Sequence, residues 1–322
     1  MNPVLPDLAV EFGTTAEKAV LAAGGADLAR RAESDPGRRA GEVARVLENL
    51  GTPDLDPTAD LDAALAAGEL CRVAGRYALP YPVVAFLLRD STGRPLAVTA
   101  GDRLRVDHGD LFPAWVLAGL DGRVRYGRPA GGPLGSKLGP FVTDLEAEPD
   151  SRGSGAGDLL MPLALTLQAW RILGAVERGV QLAVEHVKGR EQFGQPLSGF
   201  QAVQFQLADA AVGRDGLEEL CRYSTWRLFD DPAGRLVDAL ALRLHACDVA
   251  RAALRTAQQL FGAAGLCDEY DISVLCRHVQ PDLRLPAGAE QTAARLFDAV
   301  AADGFEGLFP HGGPRDGRDG RA

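Results

Sequence analysis

Along the chain the apolar positions change period twice. Up to about residue 88 they recur at helical spacing. In "ADLDAALAAGELCRVAGRYALP", Leu61, Ala64, Leu65, Gly68 and Cys71 fall on one side of a helix. The small residues among them permit a second helix to approach closely, and Pro80 and Pro82 close the segment. Between about 89 and 148 the runs shorten and become β-prone. Leu104 and Val106 alternate with Arg103, Arg105 and Asp107, and Asp121-Gly122 is a hairpin turn signal. A small antiparallel sheet or sandwich is expected, with Trp115 in its core. "PDSRGSG" (149–155) reads as a linker. From Asp158 helical spacing returns. Leu163, Leu167, Trp170, Ile172, Leu173 and Val176 mark one helix; Phe200, Val203, Leu207, Ala208 and Ala211 give the next an apolar stripe. A third spans "RLVDALALRLHACDVARAALRTAQQLFGAAG" and stops at glycines 262 and 265. "AEQTAARLFDAVAA" is the last. Four long antiparallel helices predict a bundle.

The predicted fold class is therefore mainly α with a small central β-domain. It divides into an N-terminal helical domain (1–88), the β-domain (89–150), a C-terminal helical bundle (151–308) and a Gly- and charge-rich tail (309–322) expected to be disordered.

Composition narrows the function. Hydrophobic residues make up 46% of the 322 positions and charged residues 24%, as in a folded soluble protein. A formal charge of −10 argues against a broad nucleic-acid or anionic-membrane surface. No stretch approaches the roughly 20 apolar residues of a membrane span. Cys71, Cys221, Cys247, Cys267 and Cys276 are scattered without a C-x-x-C pair, which fits reduced thiols and a cytoplasmic location. No metal site is expected: the histidines at 108, 186, 245, 278 and 311 lack clustered spacing and read as surface or capping residues. "GGPLGSKLG" is not a phosphate loop, because Ser136 separates Gly135 from Lys137; it reads as a strand connection.

The candidate chemistry sits at one corner, "GREQFGQPLSGFQAVQFQLADAA". Ser198 and Gln201 have the spacing of a capping box at a helix start. Arg190 brings a planar fork suited to phosphate oxygens, and Phe193 a flat ring. The same residues also suit a plain helix corner, with an arginine favoured near a helix C-terminus and an aromatic in the core.

"VEHVKGREQFGQPLSGFQAVQFQLADAA" resembles the acyl-CoA dehydrogenase family, whose pattern is approximately Tyr-x-x-x-Arg-x-x-Phe-Gly-x-x-(Ile/Leu)-x-x-x-Gln. "AQQLFGAAGLCDEYDISVLCRH" is similar to the family's Gln-x-x-Gly-Gly-x-Gly segment, and the order of helices, β-domain and four-helix bundle agrees. The resemblance implies FAD held between subunits, with one subunit's β-domain on the flavin ring and its neighbour's bundle on the ADP half. Carried over by motif, Arg190 would contact the pyrophosphate, Gln192, Phe193 and Leu197 would line the corner, and Gln259 and Gly262 would approach from the later helix end.

The family's reaction needs a carboxylate base. The two family positions for it hold Ala287 and Ala164 here. Glu290 is the nearest acid in sequence, but a helix would turn it away from the position of Ala287. The Thr-Glu-Pro-x-x-Gly-Ser-Asp stretch has no counterpart, and the N-terminal helices look shortened. The resemblance thus implies the short, catalytically incomplete subunit of a heteromeric acyl-CoA dehydrogenase of the actinobacterial steroid-degrading type. It would share FAD with a full-length homologue that acts on an acyl-CoA. Two alternatives remain open: a self-sufficient dehydrogenase with a relocated base, and a flavin-free scaffold or tailoring protein that reuses the fold.

Overall fold

The computed structural model describes residues 5–148, 158–230 and 234–303. The expected linker at 149–155 and tail at 309–322 lie outside them. Helices α1 (Asp7–Ala22), α2 (Asp27–Ser34), α3 (Ala44–Asn49), α4 (Leu61–Arg76) and α5 (Val83–Leu87) precede a sheet of β1 (Leu96–Thr99), β2 (Arg105–Asp107), β3 (Trp115–Gly119), β4 (Val124–Pro129) and β5 (Val142–Ala147). The long α6 (Leu160–Gly189) leads into a two-stranded ribbon, β6 (Glu191–Gln192) and β7 (Gln195–Pro196). Then follow α7 (Gln201–Asp230), α8 (Arg235–Phe261), α9 (Asp271–His278), α10 (Gln280–Arg284) and α11 (Ala289–Asp303).

Helix α4 starts where its sequence says it should: the Asp60 side chain accepts the Ala63 N–H at 2.8 Å, capping the first turn. Its small residues do what their size permits. At Gly75 a Cβ would lie 1.8 Å from the Arg171 carbonyl oxygen, and at Gly174 one would lie 1.8 Å from the Arg72 carbonyl oxygen. The backbones of α4 and α6 therefore touch, and only glycine fits at the crossing. Arg72 and Arg76 tie the crossing to Glu177, Arg76 at 3.0 Å. Trp170 is fully buried beside Gly68 and donates to the Thr225 hydroxyl at 3.0 Å. One core runs continuously from Ala9 to Leu283, so the N-terminal helices and the bundle share it.

The sheet order is β1-β3-β4-β5-β2. Three ladders are antiparallel, as the pattern predicts, but β1 pairs with β3 in parallel. The edge strands β1 and β2 approach one another, which curls the sheet. The Asp121-Gly122 turn forms, with the Gly119 N–H donating to the Arg123 carbonyl at 2.7 Å. Strand β3 is buried along its whole length: Trp115 and Leu117 join Leu104, Val106 and Leu145 in a small second core, while Val116 and Ala118 face the helices.

Three expectations need correction. The stripe at the start of α7 is not core: Val203, Leu207 and Ala211 are half-buried and Ala208 is exposed, whereas the buried residues of that helix run from Ala210 to Leu228. Ser198 does not cap α7 through its side chain. It lies in a 3-10 turn, and Gln204 Nε2 donates to its carbonyl at 2.9 Å. His108 and His278 are not surface residues but are 1% and 4% exposed, inside a polar network described below.

Candidate functional site

The corner is built by the end of α6. Arg190 leaves the helix in extended conformation, its N–H still donating to the His186 carbonyl at 2.9 Å. The ribbon then folds back through Phe193 and Gly194, both at positive φ (54° and 81°), as a tight two-residue hairpin requires. The Leu197 N–H closes the ribbon on the Arg190 carbonyl at 2.8 Å. From the other side comes the end of α8. Gly262 adopts φ 62°, ψ −139°, a conformation open to glycine, and nothing lies within 4 Å of where a Cβ would be.

These two ends enclose a surface groove of about 820 Å³. Arg190, Gln192, Leu197, Gln259 and Gly262 all line it. Phe193 does not. It stands 91% exposed at the ribbon tip, edge-on to Phe200 with ring centroids 6.3 Å apart. The wall contains residues that the motif did not indicate. His186 stacks on Phe261 at 4.1 Å, and Phe261 meets Tyr270 edge-on at 5.8 Å. His186 precedes Arg190 by four residues, so helical spacing alone would have placed it on the same face. Burial, and then the Arg190 charge, push its imidazole below the usual range, so it is neutral at pH 7. Among the described residues no carboxylate pairs with Arg190.

A second, smaller cavity of about 100 Å³ lies between the sheet and the helices. It is walled by apolar residues of α5 and β1 and holds Ala164, Gln168 and Arg171 of α6, one face at helical spacing. Because Val106 faces the small core, its neighbours Arg105 and Asp107 face the other way, into this cavity. Arg171 is spoken for: its Nε is 3.0 Å from Asp282 Oδ2 and its Nη1 donates to the Tyr81 carbonyl at 2.9 Å. Asp107 lacks such a partner. His108 Nε2 stands 3.5 Å away, while Arg39 Nη1 lies 3.2 Å from His108 Nδ1 and also pairs with Asp110. Burial pushes the Asp107 carboxyl up to about 7, against the opposing field of Arg171. Burial and the Arg39 charge hold His108 well below its ordinary value. On the far side Glu33 sits 2.8 Å from His278 and 3.0 Å from Arg277; burial would raise its carboxyl, but these hydrogen bonds prevail and hold it at about 2.

Ala287 is buried away from this cavity, its carbonyl accepting from Arg243 Nη2 at 3.0 Å. Glu290 is exposed on the first turn of α11 and does not line this cavity. No three His, Cys, Asp or Glu converge as a metal-binding group among the described residues. No helix among them is long and apolar enough to cross a membrane.

Comparison with known proteins places this architecture. The Mycobacterium tuberculosis ChsE4-ChsE5 complex contains a chain that superimposes with a TM-score of 0.76 at 19% identity, covering 94% of this chain and 99% of that one. Butyryl-CoA dehydrogenase of Megasphaera elsdenii superimposes with a TM-score of 0.68 at 18% identity, covering 94% and 100%. The fold is acyl-CoA dehydrogenase-like. Residues 165–299 match the family model of the acyl-CoA dehydrogenase C-terminal domain, so the chain carries that family's bundle. The probable acyl-CoA dehydrogenase YngJ of Bacillus subtilis is 32% identical over 105 residues, 33% of this chain and 27% of that enzyme. For it and three further relatives the aligned part is only 26% to 38% of the relative's length. Acyl-CoA dehydrogenase IpdE2 of M. tuberculosis aligns more fully, at 25% identity over 74% of this chain and 77% of that one.

Members of the acyl-CoA dehydrogenase family bind FAD, and the groove, with Glu185 also in its wall, holds the side chains that could contact an anionic cofactor. Arg190 offers an unpaired fork, Gln192 and Gln259 offer amides, and Gly262 leaves room for a phosphate beside the backbone.

Proposed function

We propose that this chain is a subunit of a flavin-dependent acyl-CoA dehydrogenase that supplies the ADP-half groove of a shared FAD site and relies on a full-length homologue for the catalytic base. One contrast carries the reading. The groove of about 820 Å³ is open and lined by Arg190, Gln192, Leu197, Gln259 and Gly262, whereas the cavity beside Ala164 has about 100 Å³. Ligand sites for cofactor-sized molecules run to roughly 300–1,000 Å³. The smaller cavity holds neither a flavin ring nor an acyl thioester.

In this reading bound flavin would take the hydride from the thioester's β-carbon. Arg190 binds pyrophosphate oxygens through its fork, held in place by the ribbon. Gly262 admits the phosphate to the backbone, and Gln192 and Gln259 orient the nucleotide. Phe193, exposed at the ribbon tip, is free to cover the cofactor where the partner meets this chain. Ala164 and Ala287 hold no proton, so abstraction falls to the partner. The alignments with the ChsE4-ChsE5 complex and with the Tcur3481-Tcur3483 steroid dehydrogenase (TM-score 0.76) support an unlike-subunit assembly, and a steroid acyl-CoA as the substrate class.

Co-expression with a neighbouring full-length homologue tests this. The expected product is a yellow complex with fewer flavins than subunits, and Arg190→Gln should lower its FAD retention about tenfold, the loss of one charge-assisted contact. A mixture that stays colourless and never associates would overturn the proposal.

A second reading, a self-sufficient enzyme with a relocated base, is favoured by the Asp107 carboxyl, which opens into the same cavity as Ala164 and titrates near 7. It requires the isolated chain to purify yellow and bleach with acyl-CoA, and Asp107→Asn to abolish bleaching.

A further inference from the structure

The side of α8 turned away from the groove carries a second cluster of cationic side chains. A concavity of about 330 Å³ lies between α8 and the α9–α10 segment. On α8, Arg251, Arg255 and Gln258 follow one another at helical spacing; across from them stand Gln280 and Arg284, with Cys276 at the wall. Its lining carries three guanidinium groups and no carboxylate. That is a departure for a chain with 44 acidic and 34 basic residues.

Several arginines outside this concavity sit in tight ion pairs. Arg72, Arg76, Arg171 and Arg277 each hold a glutamate or aspartate. Here Arg251 has only an i,i+3 contact to Asp248 at 3.2 Å, with Asp248 73% exposed, a pair worth little in water. Among the described residues Arg255 and Arg284 have no carboxylate partner. The two amides are tethered through their nitrogens. Gln280 Nε2 donates to the Cys276 carbonyl at 3.1 Å and Gln258 Nε2 to the Gly265 carbonyl at 3.5 Å. Three forks that converge on one concavity without a counter-charge repel one another until an anion arrives, and a guanidinium fork matches phosphate oxygens bidentately. The volume lies at the lower end of the range for small-molecule sites.

We infer that this concavity is an anion site that takes a phosphate ester, with Arg255 and Arg284 as its principal ligands and Arg251 recruited from Asp248 when the ligand binds. It is separate from the Arg190 groove and does not depend on the flavin reading. Gln258 faces this concavity, while the next residue, Gln259, faces the groove.

The test is calorimetric titration of the purified protein, with its partner if one co-purifies, at fixed ionic strength. Inorganic phosphate and adenosine 3′,5′-bisphosphate are the probes. Both should bind in preference to chloride. Arg255→Gln and Arg284→Gln should each weaken binding about tenfold and the double variant about a hundredfold, from loss of one and two charge-assisted contacts. Tighter binding of the bisphosphate than of phosphate would identify a nucleotide-borne ester as the ligand; equal binding would identify free phosphate. Both variants replace exposed side chains, so their melting temperatures should match the wild type; Arg284→Glu provides a charge-reversed check. Equal affinity in the wild type and the double variant, or no preference for phosphate over chloride, would overturn the assignment.

Discussion

Replacing Asp107 with asparagine should stabilise the protein, by an amount that grows from about pH 4 and is complete above neutral pH. The carboxyl faces a cavity with apolar walls, keeps 21% of its side-chain surface accessible, and has no close hydrogen-bonded cation. Arg171 faces it from α6 but is committed to Asp282 on α10, Arg39 is committed to Asp110, and buried His108 is neutral. A carboxyl whose value rises from 3.8 to about 7 on folding binds its proton more tightly in the native state. Below pH 3.8 it is protonated in both states and costs nothing. Between 3.8 and 7 the unfolded chain ionises first, so stability falls as pH rises. Above 7 the cost is complete. At about 1.4 kcal/mol per pH unit this is at most about 4 kcal/mol, and water in the cavity reduces it to about 2–4 kcal/mol. Asparagine keeps the shape and carries no charge. Urea unfolding of both proteins from pH 4 to 8 measures the difference directly. It should be near zero at pH 4 and reach its full value by pH 8. A difference that does not vary with pH, or a variant less stable at pH 8, would refute the reasoning and point to an ion pair that the ionised form needs.

Two further outcomes follow from the same structure. Gly174→Ala should cost about 3 kcal/mol or more in chemical denaturation, although alanine is intrinsically the better helix former by about 1 kcal/mol, because its Cβ would lie 1.8 Å from a backbone oxygen that cannot swing aside. Glu33→Gln should cost about 1–2 kcal/mol at pH 7, after allowance for solvent at a partly exposed carboxylate; since Glu33 is held at about 2, the loss should shrink as pH falls from 4.5 through 2, as read by acid titration of ellipticity.

Sequence periodicity was a good guide wherever an element's two faces differ. Helices α4, α6, α8 and α11, strand β2 and the β3–β4 hairpin stand where the pattern of apolar positions and turn residues predicts, because these signals are local to each element. The Arg190 corner was legible for the same reason: a helix end, a two-residue turn and a glycine stop are local features. That the two ends meet in one groove was legible only through the resemblance. Asp107 was read as one polar position in an alternating strand, and nothing near it in sequence hints at Arg171 or Asp282, which lie 64 and 175 residues further on.

The amino-acid order by itself determined the elements, the glycines at the α4–α6 crossing, the alanines at both family base positions and the motif of the corner, since each depends on residues within a few turns of one another. Tertiary structure alone decided which charges are paired. Among the described residues it leaves Arg190, Arg255 and Arg284 without carboxylates, buries His108 and His278, and turns Asp107 into a cavity of about 100 Å³. Electrostatics depends on distance through space and on what has been excluded from it, and neither quantity is written along the chain.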